Sequence, residues 1–290
     1  MTRRVARDTG AALAFVAAAG IAASGASAQD LANGAYVARL AGCAACHTEA
    51  REGAPPYGGG RELKTPFGSF YGPNITPHPV HGIGRWSEAD FRRAMRQGVR
   101  PDGQHYFPAF PYGAFARMGD RDLTDLWAHL RRVPPSDRPN RDHAVSFPFN
   151  LRPAVLGWKL MNFAVSEMPD GRQSGAAARG AYIVEALAHC GECHTPRNWI
   201  GGLKTADAYA GGQLASGRAP NITPHGIGKW SDADLKEYLA TGMTPDGDFA
   251  GGEMADVVRG ATSALSADDM AAVVAYLRTL AAKPSPPDAK

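Results

Sequence analysis

A five-residue stretch written twice constrains this chain more than anything else in it. Cys43-Ala-Ala-Cys46-His47 comes first, and Cys190-Gly-Glu-Cys193-His194 repeats it. C-x-x-C-H is the attachment signal for c-type haem, and the spacing has a chemical reason. Positions i and i+3 share one face of a helical turn, so both thiols can reach the two vinyl groups of one porphyrin. The His at i+4 then lies over the iron and supplies its proximal axial nitrogen. All four cysteines of the chain are used by the two motifs, which predicts two covalently bound haem c groups. A structural zinc site is a poorer reading, because the pairs lie 147 residues apart and zinc modules space their ligands closely. A dithiol redox centre would need a thioredoxin-like βαβ unit around the pair, and neither copy reads that way.

The chain starts with a segment that reads as a signal peptide. Arg3, Arg4 and Arg7 form a basic region, Ala11 to Ala23 is a short apolar run, and Ala26-Ser27-Ala28 is an A-x-A cleavage site. Residues 1–28 are therefore expected to be removed on export to the periplasm, leaving a mature chain from Gln29. The run is too short to span a bilayer, and no later stretch reads as a transmembrane segment. The formal net charge is +3, and the leader holds three Arg against one Asp. The mature chain is close to neutral, which gives no reason to expect nucleic acid as a partner.

An internal repeat sets the domain count. Cys43, Cys46, His47 and Asn74 map onto Cys190, Cys193, His194 and Asn221 at one offset of 147. Three additional residues in the first copy change the offset to 144, from Gly82-Ile-Gly-Arg-Trp86-Ser87 against Gly226-Ile-Gly-Lys-Trp230-Ser231. It holds through Pro101-Asp-Gly103 against Pro245-Asp-Gly247. Within each copy the pattern is helical. Ser87 to Asp90 and Ser231 to Asp234 are N-cap boxes, with helices expected to stop at Gly98 and Gly242. Leu123, Leu126, Trp127 and Leu130, like Met270, Val273, Val274 and Leu277, follow the i, i+3, i+4, i+7 rule of an amphipathic closing helix. No alternating strand pattern stands out, so the expected fold is all-α. It comprises a first domain over 29–133, a Pro-rich linker over 134–176, and a second domain over 177–290. Trp158, Leu160, Met161 and Phe163 in the linker are read as packing residues rather than a partner or membrane contact.

Asn74-Ile-Thr-Pro77, Gly82 to Ser87, Pro108-Ala-Phe110-Pro-Tyr112 and His189 to Asn198 carry a resemblance. Over residues 31–281 the chain is similar to the cytochrome c subunit of bacterial membrane-bound alcohol and gluconate dehydrogenases. Those subunits usually have three haem domains, and this chain resembles the first two. The resemblance implies two tandem class I-like cytochrome c domains that carry electrons and do not catalyse. The donor would be a periplasmic dehydrogenase of flavin, quinone or molybdenum type, and the acceptor a soluble cytochrome or terminal oxidase. The alternative is a dihaem redox enzyme, thiosulfate dehydrogenase-like or peroxidase-like.

The same resemblance assigns the haem surroundings. Met254 lies in the loop that supplies the distal Met of such domains, and is the expected sixth ligand of the second iron. Its counterpart is Phe110, which cannot bind iron. Met118 is the expected substitute at the first iron, with His105 next and an open site a third possibility. The carbonyls of Pro73 and Pro220, in Gly-Pro-Asn-like loops, are expected to hold the second nitrogens of His47 and His194. Trp86 and Trp230 are candidates to donate to a haem propionate, or simply to pack in the core. Intact matured protein should weigh the polypeptide plus two haems that survive denaturation. Changing Cys190 and Cys193 together to Ala should remove one of them; a bare-polypeptide mass would contradict the whole reading.

Overall fold

The computed structural model describes residues 29–164, 168–170, 172 and 174–287. The expected signal peptide, 1–28, lies outside the described residues. The first copy comprises α1 (Leu31–Leu40), α2 (Cys43–His47), β1 (Glu62–Thr65), β2 (Gly68–Tyr71), α3 (Glu88–Gln97), α4 (Tyr112–Phe115) and α5 (Asp120–Leu130). β3 (Ala144–Val145) and α6 (Arg152–Asn162) come next. The second copy has α7 (Ala176–Tyr182), α8 (Gly191–His194), β4 (Gly212–Leu214), β5 (Gly217–Ala219), α9 (Pro224–Ile227), α10 (Asp232–Thr241), α11 (Gly252–Gly260) and α12 (Ala267–Thr279).

Each copy is framed by its first helix crossing its last, α1 on α5 and α7 on α12. Glycine allows the crossing. A Cβ on Gly34 would lie 2.0 Å from the Asp125 carbonyl oxygen, and one on Gly180 would lie 1.9 Å from that of Ala272. The two glycines are 146 residues apart, whereas the cysteines are 147 apart. The extra residue of the second copy is absorbed in a π-helical turn, Ile183–Leu187, where the Ala188 N–H donates to the Ile183 carbonyl at 2.7 Å. Such a bulge inserts one residue without breaking the helix.

Both capping boxes form. Asp90 N–H donates to Ser87 Oγ and Asp234 N–H to Ser231 Oγ, each at 3.1 Å. Gly98 (φ 58°) and Gly242 (φ 85°) end their helices in the left-handed conformation, where a side chain would be strained.

The expectation of a helical fold is met, with short strands added to it. The fold is mostly helical, but β1, β2 and β3 form one antiparallel sheet and β4 with β5 another. These strands are two to four residues long, too short for alternation to register in the sequence. The segment between the copies is also more structured than a plain linker. β3 adds to the first copy's sheet, Val145 opposite Gly68. From α6, Val155 packs with Phe70 and Phe107 of the first copy, and Trp158 Nε1 donates to the Ile200 carbonyl of the second at 2.9 Å.

One apolar core runs through both copies. Val37, Leu40, Leu123 and Leu126 pack in the same cluster as Tyr182, Ile183, Leu187 and Val274. Around it the contacts are reciprocal. Tyr36 Oη donates to Asp269 Oδ2 at 2.8 Å and accepts from Ser266 N–H at 3.3 Å. Tyr182 Oη donates to Asp122 Oδ2 at 2.7 Å and accepts from Gly119 N–H at 3.0 Å. The copies thus meet about a local pseudo-two-fold, each tyrosine capping the other copy's closing helix. Arg179 binds Asp269 through Nε and Nη2, both at 2.8 Å, and Arg172 Nη2 binds Asp122 at 2.9 Å.

Burial alone would raise both carboxyls, but the hydrogen bonds and arginines outweigh it and hold Asp122 and Asp269 below their ordinary values. A depressed carboxyl pKa stabilises the fold above the unfolded value, about 3.9, and that stabilisation disappears as pH falls through the folded value. Asp122→Asn and Asp269→Asn should each destabilise the protein at pH 7 by about 1.5–3 kcal/mol. Each variant should also lose part of the wild type's acid-side slope in thermal melts taken below about pH 4.

Candidate haem sites

Each attachment motif opens on a residue in the left-handed region, Gly42 (φ 63°) in the first copy and His189 (φ 41°) in the second. The turn throws the chain into a short helix that presents two cysteines and one histidine. Behind each motif lies the proline loop named from the sequence. His47 Nδ1 donates to the Pro73 carbonyl at 2.7 Å, and His194 Nδ1 to the Pro220 carbonyl, also at 2.7 Å. A carbonyl can only accept, so each ring carries its proton on Nδ1 and keeps the Nε2 lone pair for a metal. Burial lowers the pKa of both histidines, opposed by these carbonyl bonds. Both rings are thereby held neutral, the form that ligates iron.

Several residues beyond those assigned to the haem from the sequence hold this geometry. The N–H of Gly59 donates to the His47 carbonyl at 2.7 Å, and that of Gly211 to the His194 carbonyl at 2.8 Å. A Cβ on Gly72 would sit 1.8 Å from the Cys46 carbonyl oxygen, so only glycine lets the Pro73 loop come this close. Asn74 and Asn221 are buried and fix the loops. Their Oδ1 atoms each accept from the hydroxyl of the Thr two residues on, Thr76 or Thr223, at 2.7 Å. Their Nδ2 atoms reach distant carbonyls, Ser136 in one case and Lys283 in the other, both at 2.8 Å. The shared N-x-T spacing was the available signal.

The four thiols are unbridged. Burial, then the partner cysteine, pushes Cys43 and Cys190 up to about 12. Before haem attachment they would be protonated thiols, not poised thiolates or a reactive dithiol centre. Among the described residues no three His, Cys, Asp or Glu side chains gather as a bare metal site. Paired thiols on one turn, a neutral imidazole beside them and a fixed Nδ1 donor fit a covalently held haem at each motif.

The two motifs adjoin. α2 packs against α11 of the other copy, and Arg61 Nη2 meets Asp256 on that helix at 3.2 Å. The π-helical turn packs against α4 of the first copy, and the rings of His189 and Phe115 meet at 5.4 Å. The Cys193 thiol is raised by burial, then by Glu192, and more weakly by Glu253 and by Cys46 of the first motif.

The remaining residues named from the sequence fall differently. Trp86 and Trp230 are half-buried against the core, each just before a capping serine. Met254 is half-buried in the first turn of α11. Met118 is 0 % exposed in the shared core. It stands just before Gly119, the residue ahead of α5, as Leu265 stands before Ser266 ahead of α12. Phe110 lies among the rings of Tyr106, Tyr112 and Phe115, at 5.4, 6.2 and 5.7 Å.

Comparison with known proteins agrees with this geometry. The cytochrome c family model matches twice, over residues 31–134 and 177–281. A dihaem cytochrome c-type protein of Cereibacter sphaeroides is 46% identical over 246 residues, covering 83% of this chain and 82% of that protein. The fructose dehydrogenase cytochrome subunit of Gluconobacter japonicus is 40% identical over 261 residues, covering 88% of this chain and 53% of the subunit. The alcohol dehydrogenase (quinone) cytochrome c subunit of Gluconacetobacter polyoxogenes is 38% identical over 268 residues, with 88% and 56% covered. The chain thus spans about half the length of the two dehydrogenase subunits. It belongs to the cytochrome c family, and it carries two covalently bound haem c groups.

Asn221→Ala would remove its side-chain bonds to the Lys283 carbonyl and to the N–H and hydroxyl of Thr223. The matured protein should lose about 1–3 kcal/mol of stability, with faster hydrogen exchange at the Lys283 and Ser285 amides than in the wild type. Unchanged exchange there would contradict the role given to Asn221.

Proposed function

We propose that this chain is a periplasmic electron carrier that takes single electrons from a dehydrogenase and passes them to a soluble cytochrome or a terminal oxidase. The observation that carries this is the pair of histidines, each fixed by a proline carbonyl at 2.7 Å, on two motifs that adjoin in one core. Bound haem supplies the one-electron ferric–ferrous couple. The protein's own residues orient the ligands, exclude water and set the spacing between the two sites. Relatives named as cytochrome subunits of fructose and alcohol dehydrogenases support a dehydrogenase as donor. None of the described helices is long and apolar enough to cross a membrane.

In this reading Cys43 and Cys46 bind one porphyrin, and Cys190 and Cys193 the other. His47 and His194 are the proximal ligands, and Pro73 and Pro220 hold them. Met254 is the sixth ligand of the second iron; its side chain keeps exposed surface at the start of α11. Trp86 and Trp230 are the candidate indole N–H donors to a buried propionate.

Met254→Ala should abolish a methionine-to-iron charge-transfer band in the oxidised spectrum and lower the potential of one haem, because thioether ligation raises it. A variant retaining both the band and the potential would remove Met254 from the site. Mixed with a purified periplasmic dehydrogenase and its substrate, the wild type should be reduced without added mediator. Steady turnover of peroxide or thiosulfate by the isolated protein would overturn the carrier reading.

A further inference from the structure

We infer that the sixth position of the first iron is not filled by a side chain of this protein, and that this site takes a small neutral diatomic ligand, with carbon monoxide as its probe. The inference rests on reading His47 as the proximal ligand, and it comes from comparing the two copies position by position.

In the second copy the segment between α10 and α12 holds α11, with Met254 in its first turn. The matching segment of the first copy lies between α3 and α5. Its single Met is Met118, and its single His is His105. Neither stands where Met254 does. Met118 occupies the place of Leu265, the apolar residue before the closing helix, and its side chain has no exposed surface. A side chain that reaches across a haem cavity must present surface to it, and Met118 is wholly enclosed by protein. Its main chain is fixed as well, since its carbonyl accepts from Arg96 Nη2 at 2.8 Å.

His105 is held elsewhere. It pairs with Val99 across a turn, as Phe249 pairs with Met243 in the second copy, and Phe249 is 64 % exposed. In the first copy that outward position is covered by α6, whose Lys159 Nζ lies 2.9 Å from His105 Nδ1. Met95, on α3, matches Leu239 of the second copy at the offset of 144 and packs in the core. The place of Met254 is taken by Phe110, wedged among Tyr106, Tyr112 and Phe115. A ring held by three others is a rigid apolar wall. It supplies no lone pair, and it disfavours a charged or strongly hydrated ligand while leaving a small neutral one unopposed. Carbon monoxide would add to ferrous iron through one new iron–carbon bond, with no leaving group and no change in electron count on the protein.

The test uses matured full-length protein carrying both haems, reduced with dithionite and titrated with carbon monoxide. Wild type should take up one molecule per two haems, and its ferric form should show a high-spin signal from one haem beside one methionine-to-iron band. Met254→Ala should remove that band and raise uptake to two. Phe110→Met should abolish the uptake and add a second band, whereas Phe110→Leu should leave uptake at one. If Phe110→Met fails to mature, the wild-type stoichiometry and spin state decide alone. The inference is overturned by a wild type that takes up no carbon monoxide and shows two methionine bands, one of them lost in Met118→Ala or Met95→Ala. It is equally overturned by a low-spin bis-histidine first haem lost in His105→Ala. In either case two covalent haems and mediator-free reduction would leave the electron-carrier reading standing.

Discussion

The reciprocal bonds of Tyr36 to Asp269 and of Tyr182 to Asp122 set how the two copies, and with them the two haem sites, lie against each other. A tandem repeat could hang as two beads on a linker. Here each copy's first helix instead sends a phenol into the start of the other's closing helix, and both Tyr hydroxyls are raised, by burial first and by the neighbouring Asp. They stay protonated and donate. The arrangement is isologous in the sense of a homodimer, but built within one chain. Once the closing helices are tied in this way, α11 comes to rest on the first attachment motif and α4 against the run into the second. Closeness of the two haem sites is thus a consequence of the interface.

Departures from symmetry are local. One extra residue is taken up by the π-helical turn before the second motif, leaving His189 in a conformation that glycine holds in the first. A non-glycine residue pays a steric cost there, and its ring lies against Phe115 of the other copy. The second departure is the exchange of Met254 for Phe110, a change in chemistry without a change in frame. In the proposed ligation, the same pseudo-symmetric scaffold holds two sites with different sixth positions.

Much of this was legible in the sequence because the relevant chemistry is local. Two C-x-x-C-H motifs and two capping boxes fix the sites and the helix starts within windows of a few residues, and the repeat, at offsets of 147 and then 144, fixes the copy number. The Pro73 and Pro220 carbonyls were reachable from the Gly-Pro-Asn pattern. The Tyr36–Asp269 bond, spanning 233 residues, had no local trace, because nothing in a Tyr or an Asp says which distant partner it meets. The short strands escaped for the opposite reason: pairs such as Ala144 with Ser69 are too brief to leave a period. The burial of Met118 also left no trace in the sequence: it stands just before the closing helix, and its side chain packs into the shared core.

We propose that the two haems, seated on adjoining motifs of one chain, exchange electrons directly. Direct exchange is tested by rapidly reducing one haem in dilute protein by pulse radiolysis and following redistribution to the other. The account predicts a first-order relaxation whose rate does not change with protein concentration and slows in Asp269→Asn. A relaxation whose rate rises in proportion to protein concentration would show that electrons pass only between molecules, and would contradict it.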